Sequence, residues 1–163
     1  MQFLPATPAH LPQIMSWFAD ADSTRIWGGW QFRFPFTPDS FASDVQLNER
    51  PSYVLADEPG AILGFGQVYA RVGRCHFGRL AVAPAMRGQG LGTALLRALA
   101  HAGQREMGTT EFSLFVSRQN VRAENLYRRL GFARAEYPEA GMPDDYVYMV
   151  AGPGCLDGAA PPH

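Results

Sequence analysis

One segment of this 163-residue chain constrains the fold more than any other, and it reads LAVAPAMRGQGLGT over residues 80–93. An apolar strand ends at Val82, a glycine-rich turn follows, and the turn leads directly into an amphipathic helix. Glycines let the backbone approach a ligand without interference from Cβ atoms, and the first helical turn offers free N–H groups and partial positive charge. We therefore predict a phosphate or pyrophosphate site here, with Arg87 as an adjoining cation and Thr93 as a hydroxyl donor.

Other loops of this general kind fit the segment less well. A plain strand-to-helix turn uses glycines in the same way, and that alternative stays open for a bare Gly-x-Gly pattern. A nucleoside triphosphate loop ends in Gly-Lys-Ser/Thr, and the chain has no lysine. A dinucleotide fold places the loop after its first strand, with an acidic residue about 20 positions further on. Glu111 follows Gly92 at roughly that distance, but it begins a strand instead of ending one.

Local signals predict the elements on either side of this loop. Threonine followed by proline, at Thr7 and Thr37, predicts two helix starts, and the first helix spans about 9–20. Between the two helices lies an aromatic stretch, Trp27–Phe36. The expected strands cover Gln2–Leu4, Ser52–Ala56, Ala61–Ala70, Cys75–Val82, 112–116, Phe132–Tyr137 and Asp145–Val150, and the later helices cover about 90–107 and 121–130.

The order of these elements predicts the fold class. The strands between Ser52 and Val82 have connections too short for parallel crossovers, so they form an antiparallel meander, and the later strands are joined through helices. We predict an α/β protein of the α+β type, with one mixed sheet in a single domain, 1–151. The Gly- and Pro-rich tail, 152–163, is expected to add little to the core.

Composition excludes several classes of protein. With 47% hydrophobic and 18% charged residues, the chain has material for a core and is unlike a disordered protein. No apolar run reaches the roughly 18–20 residues of a membrane helix, and a net charge of −1 does not favour nucleic acid or an anionic membrane as a partner. Two cysteines make no disulfide scaffold, and no secretory leader is recognised, so we expect a cytoplasmic protein.

Two motifs resemble those of a known family. The segment Arg87–Gly92, RGQGLG, resembles the [Arg/Gln]-x-x-Gly-x-[Gly/Ala] signature of the GNAT superfamily of N-acetyltransferases. The segment Asn120–Phe132, NVRAENLYRRLGF, resembles the family's N-x-x-A-x-x-x-Y-x-x-x-G-F motif. The resemblance covers about residues 50–150, and the first 50 residues match only in their outline of two helices. It implies the acyl-CoA N-acyltransferase fold, with acetyl-CoA as cosubstrate.

The resemblance also implies where acetyl-CoA binds. The family holds it in a V-shaped gap between two splayed parallel strands, which correspond here to Cys75–Val82 and Glu111–Val116. The pantetheine arm is then expected to pair with the backbone of Leu80, Ala81 and Val82. Asn120 either contacts the coenzyme or only caps a helix. The pyrophosphate is expected on Arg87, Gly88, Gln89, Gly90, Leu91, Gly92 and Thr93.

Three catalytic roles follow from the same resemblance. The acetyl group passes to a primary amine of a small molecule or peptide by direct attack, through a tetrahedral intermediate. Tyr127 is expected to protonate the leaving thiolate, and the backbone N–H of Leu80 is expected to stabilise the oxyanion. His76 stands where many members carry a glutamate and is the candidate general base. A packed tyrosine and a histidine that merely lines the pocket are the alternatives.

Other interpretations remain beside this one. Cys75 and His76 are adjacent on a strand and face opposite sides, which excludes a nucleophilic pair, and no histidine has metal-ligand spacing. The aromatic stretch and the acidic pair Asp144 and Asp145 are candidates for the acceptor pocket. A polyamine, an aminoglycoside, an amino acid and a protein N-terminus remain unranked as acceptors, and a homodimer is compatible with so small a domain. A non-catalytic acyl-CoA sensor is the alternative function.

Overall fold

The computed structural model describes residues 1–158 and contains one seven-stranded mixed sheet flanked by helices. The spatial order of the strands is β1-β2-β3-β4-β5-β7-β6. The strands are β1 (Gln2–Pro5), β2 (Ser52–Ala56), β3 (Ile62–Arg71), β4 (Arg74–Val82), β5 (Phe112–Ser117), β6 (Ala133–Ala135) and β7 (Tyr146–Ala151). The helices are α1 (Leu11–Met15), α2 (Ala21–Gly28), α3 (Pro38–Val45), α4 (Leu91–Met107) and α5 (Val121–Arg129). The predicted α/β class is confirmed.

The strands β2, β3 and β4 form the predicted antiparallel meander, and β1 pairs antiparallel with β2. A two-residue turn, Val72-Gly73, joins β3 to β4, and both residues have positive φ, 47° and 76°. That backbone matches the twist of the flanking strands. The strand β5 then pairs in parallel with β4, as the intervening helix α4 permits.

The pairing between β4 and β5 is short. Only three positions pair, from Cys75 opposite Phe112 to Phe77 opposite Leu114, although both strands continue beyond them. A bulge lies just past this point, because Arg79 and Leu80 together face the single residue Gly66 of β3. Arg79 has φ of 49°, so the backbone of β4 changes direction there. The two parallel strands therefore separate and leave a gap in the middle of the sheet.

Helices cover the two faces of the sheet unequally. The helices α4 and α5 bury one face through Leu95, Leu99 and their neighbours, which pack with Phe77 and Leu114. The helices α1–α3 cover the other face over the first strands of the meander, where the second buried cluster lies. On the remainder of that second face, the parallel strands carry polar and aromatic side chains instead of a second aliphatic layer.

The N-terminal helices differ from the prediction. The expected helix over 9–20 ends at Met15, and a separate helix, α2, occupies Ala21–Gly28. The Ser16 hydroxyl bonds back to the Gln13 carbonyl, which competes with helical pairing. The Asp20 carboxylate then accepts a hydrogen bond from the Ser23 N–H at 2.7 Å and starts the second helix. The strand expected over Phe132–Tyr137 is limited to Ala133–Ala135.

Part of the C-terminal tail packs against the core, contrary to the prediction. Leu156 is only 2% exposed and belongs to the cluster beneath α4. Cys155 lies against Gly131, where its thiol donates a hydrogen bond of 3.8 Å to the carbonyl. The expectation that the tail adds little to the core is therefore wrong at Leu156, because this apolar side chain is buried in the cluster. Residues 159–163 lie outside the described part of the chain.

Candidate functional site

The N-terminus of α4 forms a cradle for an anion. Gly88 and Gly90 have φ of 80° and 79°, the left-handed conformation that turns the chain sharply into the helix. The first bond back to the loop is that of the Ala94 N–H to the Gly90 carbonyl, at 3.2 Å, and no side chain caps the helix. Within the described residues, the three N–H groups at 91–93 thus have no acceptor. Residues 87–90, which include Gln89, are exposed.

A second arginine reaches this cradle from α5. One Nη atom of Arg122 lies 3.3 Å from the position that a Cβ atom on Gly88 would occupy. Neither Arg87 nor Arg122 forms an ion pair with any residue of 1–158. Sequence reasoning missed Arg122, because its position in the second motif is variable and only the fold brings it beside the loop. The Arg122 guanidinium and three free N–H groups therefore lie at the exposed loop that also carries Arg87.

Two predicted coenzyme contacts have structural roles as well. The Asn120 side chain accepts a hydrogen bond from the Ala123 N–H at 3.3 Å, so Asn120 caps α5, and a contact with coenzyme stays a prediction. A Cβ atom on Gly92 would lie 2.9 Å from Leu126 Cδ2. Gly92 thus allows α4 and α5 to approach each other, while Leu91 and Thr93 fill the same first turn.

The backbone of β4 beyond the bulge is free on one side. The Ala83 N–H donates to the Leu63 carbonyl of β3 at 2.9 Å. Because N–H groups alternate in direction along a strand, Ala81 also faces β3, whereas the N–H groups of Leu80 and Val82 face the gap. The position of an oxyanion donor at Leu80 stays a prediction, but its N–H points to the side that the prediction requires.

Tyr127 lies on the face of the sheet covered by α4 and α5. It is 8% exposed, belongs to the cluster that contains Phe77 and Leu114, and packs on Phe132 with ring centroids 5.9 Å apart. Its hydroxyl has no hydrogen-bond partner among residues 1–158, and burial raises the pKa of Tyr127 well above its usual value. The hydroxyl is therefore protonated at any physiological pH and available as a donor.

His76 occupies the opposite face. It is 1% exposed, its Nδ1 lies 2.9 Å from Ser113 Oγ on the neighbouring parallel strand, and its ring meets the edge of Phe115. Burial, followed by the charges of Arg71 and Arg50, lowers the pKa of His76 to about 3. The imidazole is thus neutral at pH 7 and only a weak base.

Cys75, next to His76, takes no part in this face. Its Sγ atom is packed against α4 at Gly103. Burial, with a smaller contribution from Glu106, raises the pKa of the Cys75 thiol to about 12. The two adjacent side chains therefore face opposite ways, as period-two alternation predicts.

A cavity of about 110 Å³ opens beside His76, at the point where β4 and β5 separate. The end of α2 and the residues after it form one wall, and the Trp27 indole donates a hydrogen bond of 2.8 Å to the Arg79 carbonyl at the bulge. Aromatic rings form much of the remaining wall: Trp30, Tyr69, Phe115 and Tyr146. Of the predicted aromatic stretch, only the part up to Gln31 reaches the cavity.

Of the acidic pair near β7, only Asp145 has its carboxylate engaged within residues 1–158. The Asp145 carboxylate binds the Arg25 guanidinium at 3.2 Å, and the backbone carbonyl of Asp144 accepts a hydrogen bond from Arg118 Nε at 2.6 Å. Neither residue lines the cavity. Within residues 1–158, no group of three metal-ligating side chains is present, and no helix is long and apolar enough to cross a membrane.

Solved structures of known proteins share this architecture. One is a Vibrio cholerae spermidine N-acetyltransferase in complex with coenzyme A and spermine, with a TM-score of 0.72 and 17% identity over 95% of this chain and 96% of the other. Another is an aminoglycoside acetyltransferase in complex with coenzyme A, with a TM-score of 0.72 and 21% identity over 95% and 96%. At these identities, the likeness shows the fold.

Sequence comparison identifies the family. A Bacillus subtilis protein, named provisionally as a ribosomal protein bS18-alanine N-acetyltransferase, is 28% identical over 100 residues. The match spans 61% of this chain and 66% of that relative, slightly less than two thirds of its length. The profile of the Acetyltransferase (GNAT) family matches residues 11–132, most of the described chain. The chain belongs to the Acetyltransferase (GNAT) family.

Proposed function

We propose that this protein is an acetyl-CoA-dependent N-acetyltransferase that transfers the acetyl group directly to a primary amine. The observation that carries the proposal is the gap between β4 and β5. These strands pair at three positions and then separate, with the anion cradle of α4 on one side and the cavity beside His76 on the other. A long, bent, anionic substrate and a small second substrate can meet in such a gap.

The residues present fit acetyl-CoA, which is a substrate of this reaction. Its diphosphate is matched by the three free N–H groups at 91–93 and by the guanidinium groups of Arg87 and Arg122. Its amide-containing arm is matched by the outward N–H groups of Leu80 and Val82, which offer the pairing of an added strand. Acetyl-CoA supplies the acetyl group as a reactive thioester.

The chemistry needs an oxyanion donor and a stabilised leaving group. The amine nitrogen attacks the thioester carbonyl carbon, the C–S bond breaks, and the nitrogen loses one proton while the sulfur gains one. We assign the developing oxyanion to the Leu80 N–H and the leaving sulfur to the Tyr127 hydroxyl. A thiol has a pKa of about 8.5, well below that of buried Tyr127, so the leaving thiolate does not remove the tyrosine's proton. Tyr127 stabilises the leaving sulfur by donating a hydrogen bond, and the sulfur takes its proton from solvent.

His76 is assigned a role after attack and not before it. An alkylammonium ion has a pKa of about 10, whereas burial lowers the pKa of His76 to about 3, so proton transfer from the ammonium ion to His76 is strongly unfavourable. The neutral amine is therefore the reacting species. Once its nitrogen is bonded to the carbonyl carbon, its N–H is far more acidic, and neutral His76 or water accepts the proton.

Free thiol release tests this function directly. The purified protein is incubated with acetyl-CoA and a panel of amines, and coenzyme A is followed as free thiol, with calorimetry of coenzyme A binding in parallel. Amine-dependent thiol release supports the proposal. Coenzyme A binding without turnover across the panel supports an acyl-CoA sensor instead, and the absence of binding contradicts both functions.

A further inference from the structure

The cavity beside His76 is lined by three arginines and by no acidic side chain among the described residues. They are Arg50, Arg71 and Arg79. Elsewhere in residues 1–158, several arginines do have carboxylate partners; Arg25, Arg33, Arg74, Arg128 and Arg134 each lie within 4.0 Å of one. Other arginines outside the cavity also lack an ion pair within residues 1–158, Arg87 and Arg122 among them. What distinguishes this cavity is that three arginines line it together without a carboxylate from the described residues.

Arg79 has structural partners that explain its presence. Its guanidinium donates to the carbonyls of Gly28 and Val45, both at 3.2 Å, and to Gln67 Oε1 at 3.1 Å. Burial lowers the pKa of Arg79 to about 10, and the carboxylate of Asp44, itself paired with Arg33, offsets part of that effect. Arg79 thus ties the bulge of β4 to α2 and α3.

Arg50 and Arg71 lack a comparable set of hydrogen-bond acceptors among residues 1–158. Both guanidinium groups lie against the ring of Tyr69, with distances of 4.2 Å and 5.5 Å from the guanidinium carbon to the ring centroid. Arg71 donates to the Tyr137 hydroxyl at 3.0 Å, but its Nε atom is buried and without a partner within 1–158. A buried, unpaired N–H of a cation is costly unless a ligand accepts from it.

The acidic groups near the cavity are already committed. Asp145, next to the lining residue Tyr146, holds Arg25, and Asp44 holds Arg33 through contacts of 2.9–3.2 Å. An incoming ammonium group would therefore meet two guanidinium groups and no free carboxylate. An incoming carboxylate would meet two cations of the type that binds it in a planar, two-pronged manner.

On these observations, which rest on the proposed function, we propose that the acceptor is a small amino acid whose carboxylate binds between Arg50 and Arg71. Its amine then extends past His76 towards the gap, because these three side chains line the same cavity. A cavity of about 110 Å³ suits a small molecule. The proposed acceptor differs in charge from spermine, the polyamine present in the complex of one structural relative.

Matched pairs of acceptors test the carboxylate. Free amino acids, their decarboxylated amines, a polyamine, a phosphorylated amino alcohol and a C-terminally amidated peptide are compared by free thiol release. We expect kcat/KM for an amino acid to exceed that for its decarboxylated partner at least 10-fold. A polyamine, a decarboxylated amine or an amidated peptide as the best acceptor overturns the inference while leaving the acetyltransferase function intact. A preference for the phosphorylated amine shows an anion site but overturns the carboxylate assignment.

Variants locate the contact. Arg71→Gln and Arg50→Gln are each expected to raise KM for the amino acid about 10- to 100-fold, with kcat changed much less and KM for the decarboxylated amine unchanged or lower. Arg129→Gln, on the exposed side of α5, is the matched control. An equal loss for both acceptors indicates a structural role and contradicts the proposal.

A direct measurement of amino acid binding tests the carboxylate site independently of turnover. Calorimetry with the coenzyme A complex measures amino acid affinity even if no acetyl group is transferred. Binding to the unaltered protein that is lost in Arg71→Gln supports the carboxylate site, whatever the outcome for catalysis. No binding of any amino acid overturns it.

Discussion

Tyr127→Phe removes one hydroxyl and nothing else. The hydroxyl has no hydrogen-bond partner within 1–158, and the ring contact with Phe132 is retained by phenylalanine, so the variant is expected to fold with the same stability. If Tyr127 donates to the leaving sulfur, kcat falls by about one to three decades, while acetyl-CoA affinity changes little. Steady-state kinetics and calorimetry check both statements, and unchanged turnover would remove the donor role.

The pH dependence of kcat/KM tests His76. With a pKa of about 3, His76 is deprotonated over the whole range from pH 5 to 9. The rise of kcat/KM with pH should therefore follow the acceptor's ammonium group and keep its midpoint in His76→Ala, although the rate itself is lower. A wild-type midpoint near 6.5 that disappears in His76→Ala would show that His76 titrates in the active range and would contradict this expectation.

At the scale of elements, the meeting of α5 with the glycine-rich loop supplies a second cation to the α4 cradle. Arg122→Ala is expected to weaken coenzyme A binding about 10-fold, the equivalent of one charge-assisted hydrogen bond, and the loss should shrink at high salt. Arg129→Ala removes a charge from the same helix at an exposed position and is the control. Calorimetry at two ionic strengths measures both, and equal affinities would place Arg122 outside the diphosphate site.

Local signals explain which elements were predictable. The strand, glycine turn and helix over 80–107 are encoded by consecutive residues, so their prediction needed no knowledge of the rest of the fold. The helix α2 was missed because its start depends on the Asp20 cap, and its aromatic end resembles a loop. The bulge was also missed, since arginine seldom adopts the positive φ that Arg79 has here.

The charge of the cavity beside His76 could not be predicted from local sequence signals. Arg50 follows α3, Arg71 ends β3, and His76 lies on β4, so only the meander brings the three together. Sequence reasoning instead pointed to the acidic pair near β7, which does not line the cavity and of which the Asp145 carboxylate is paired with Arg25. The charge of the pocket is a property of the fold and not of any single motif.

At the scale of the whole molecule, the C-terminal tail covers part of the core through Leu156. Removing residues 152–163 exposes the surface that Leu156 covers, which is expected to cost about 2 kcal/mol and to lower Tm by about 4–8 °C. Leu156→Ala should reproduce most of this loss within the full chain. Equal thermal melts for the full chain, the truncated chain and Leu156→Ala would contradict a role for the tail in stability.

The separation of β4 and β5 makes the proposed reaction centre accessible from both faces of the sheet. Tyr127 lies on one face of the sheet and His76 on the other. If acetyl-CoA and the amine bind as proposed, each enters from its own side, neither has to leave before the other binds, and the acyl group passes directly from sulfur to nitrogen. Such an arrangement dictates a ternary encounter, and in initial-rate plots it appears as intersecting lines instead of the parallel lines of a double-displacement scheme.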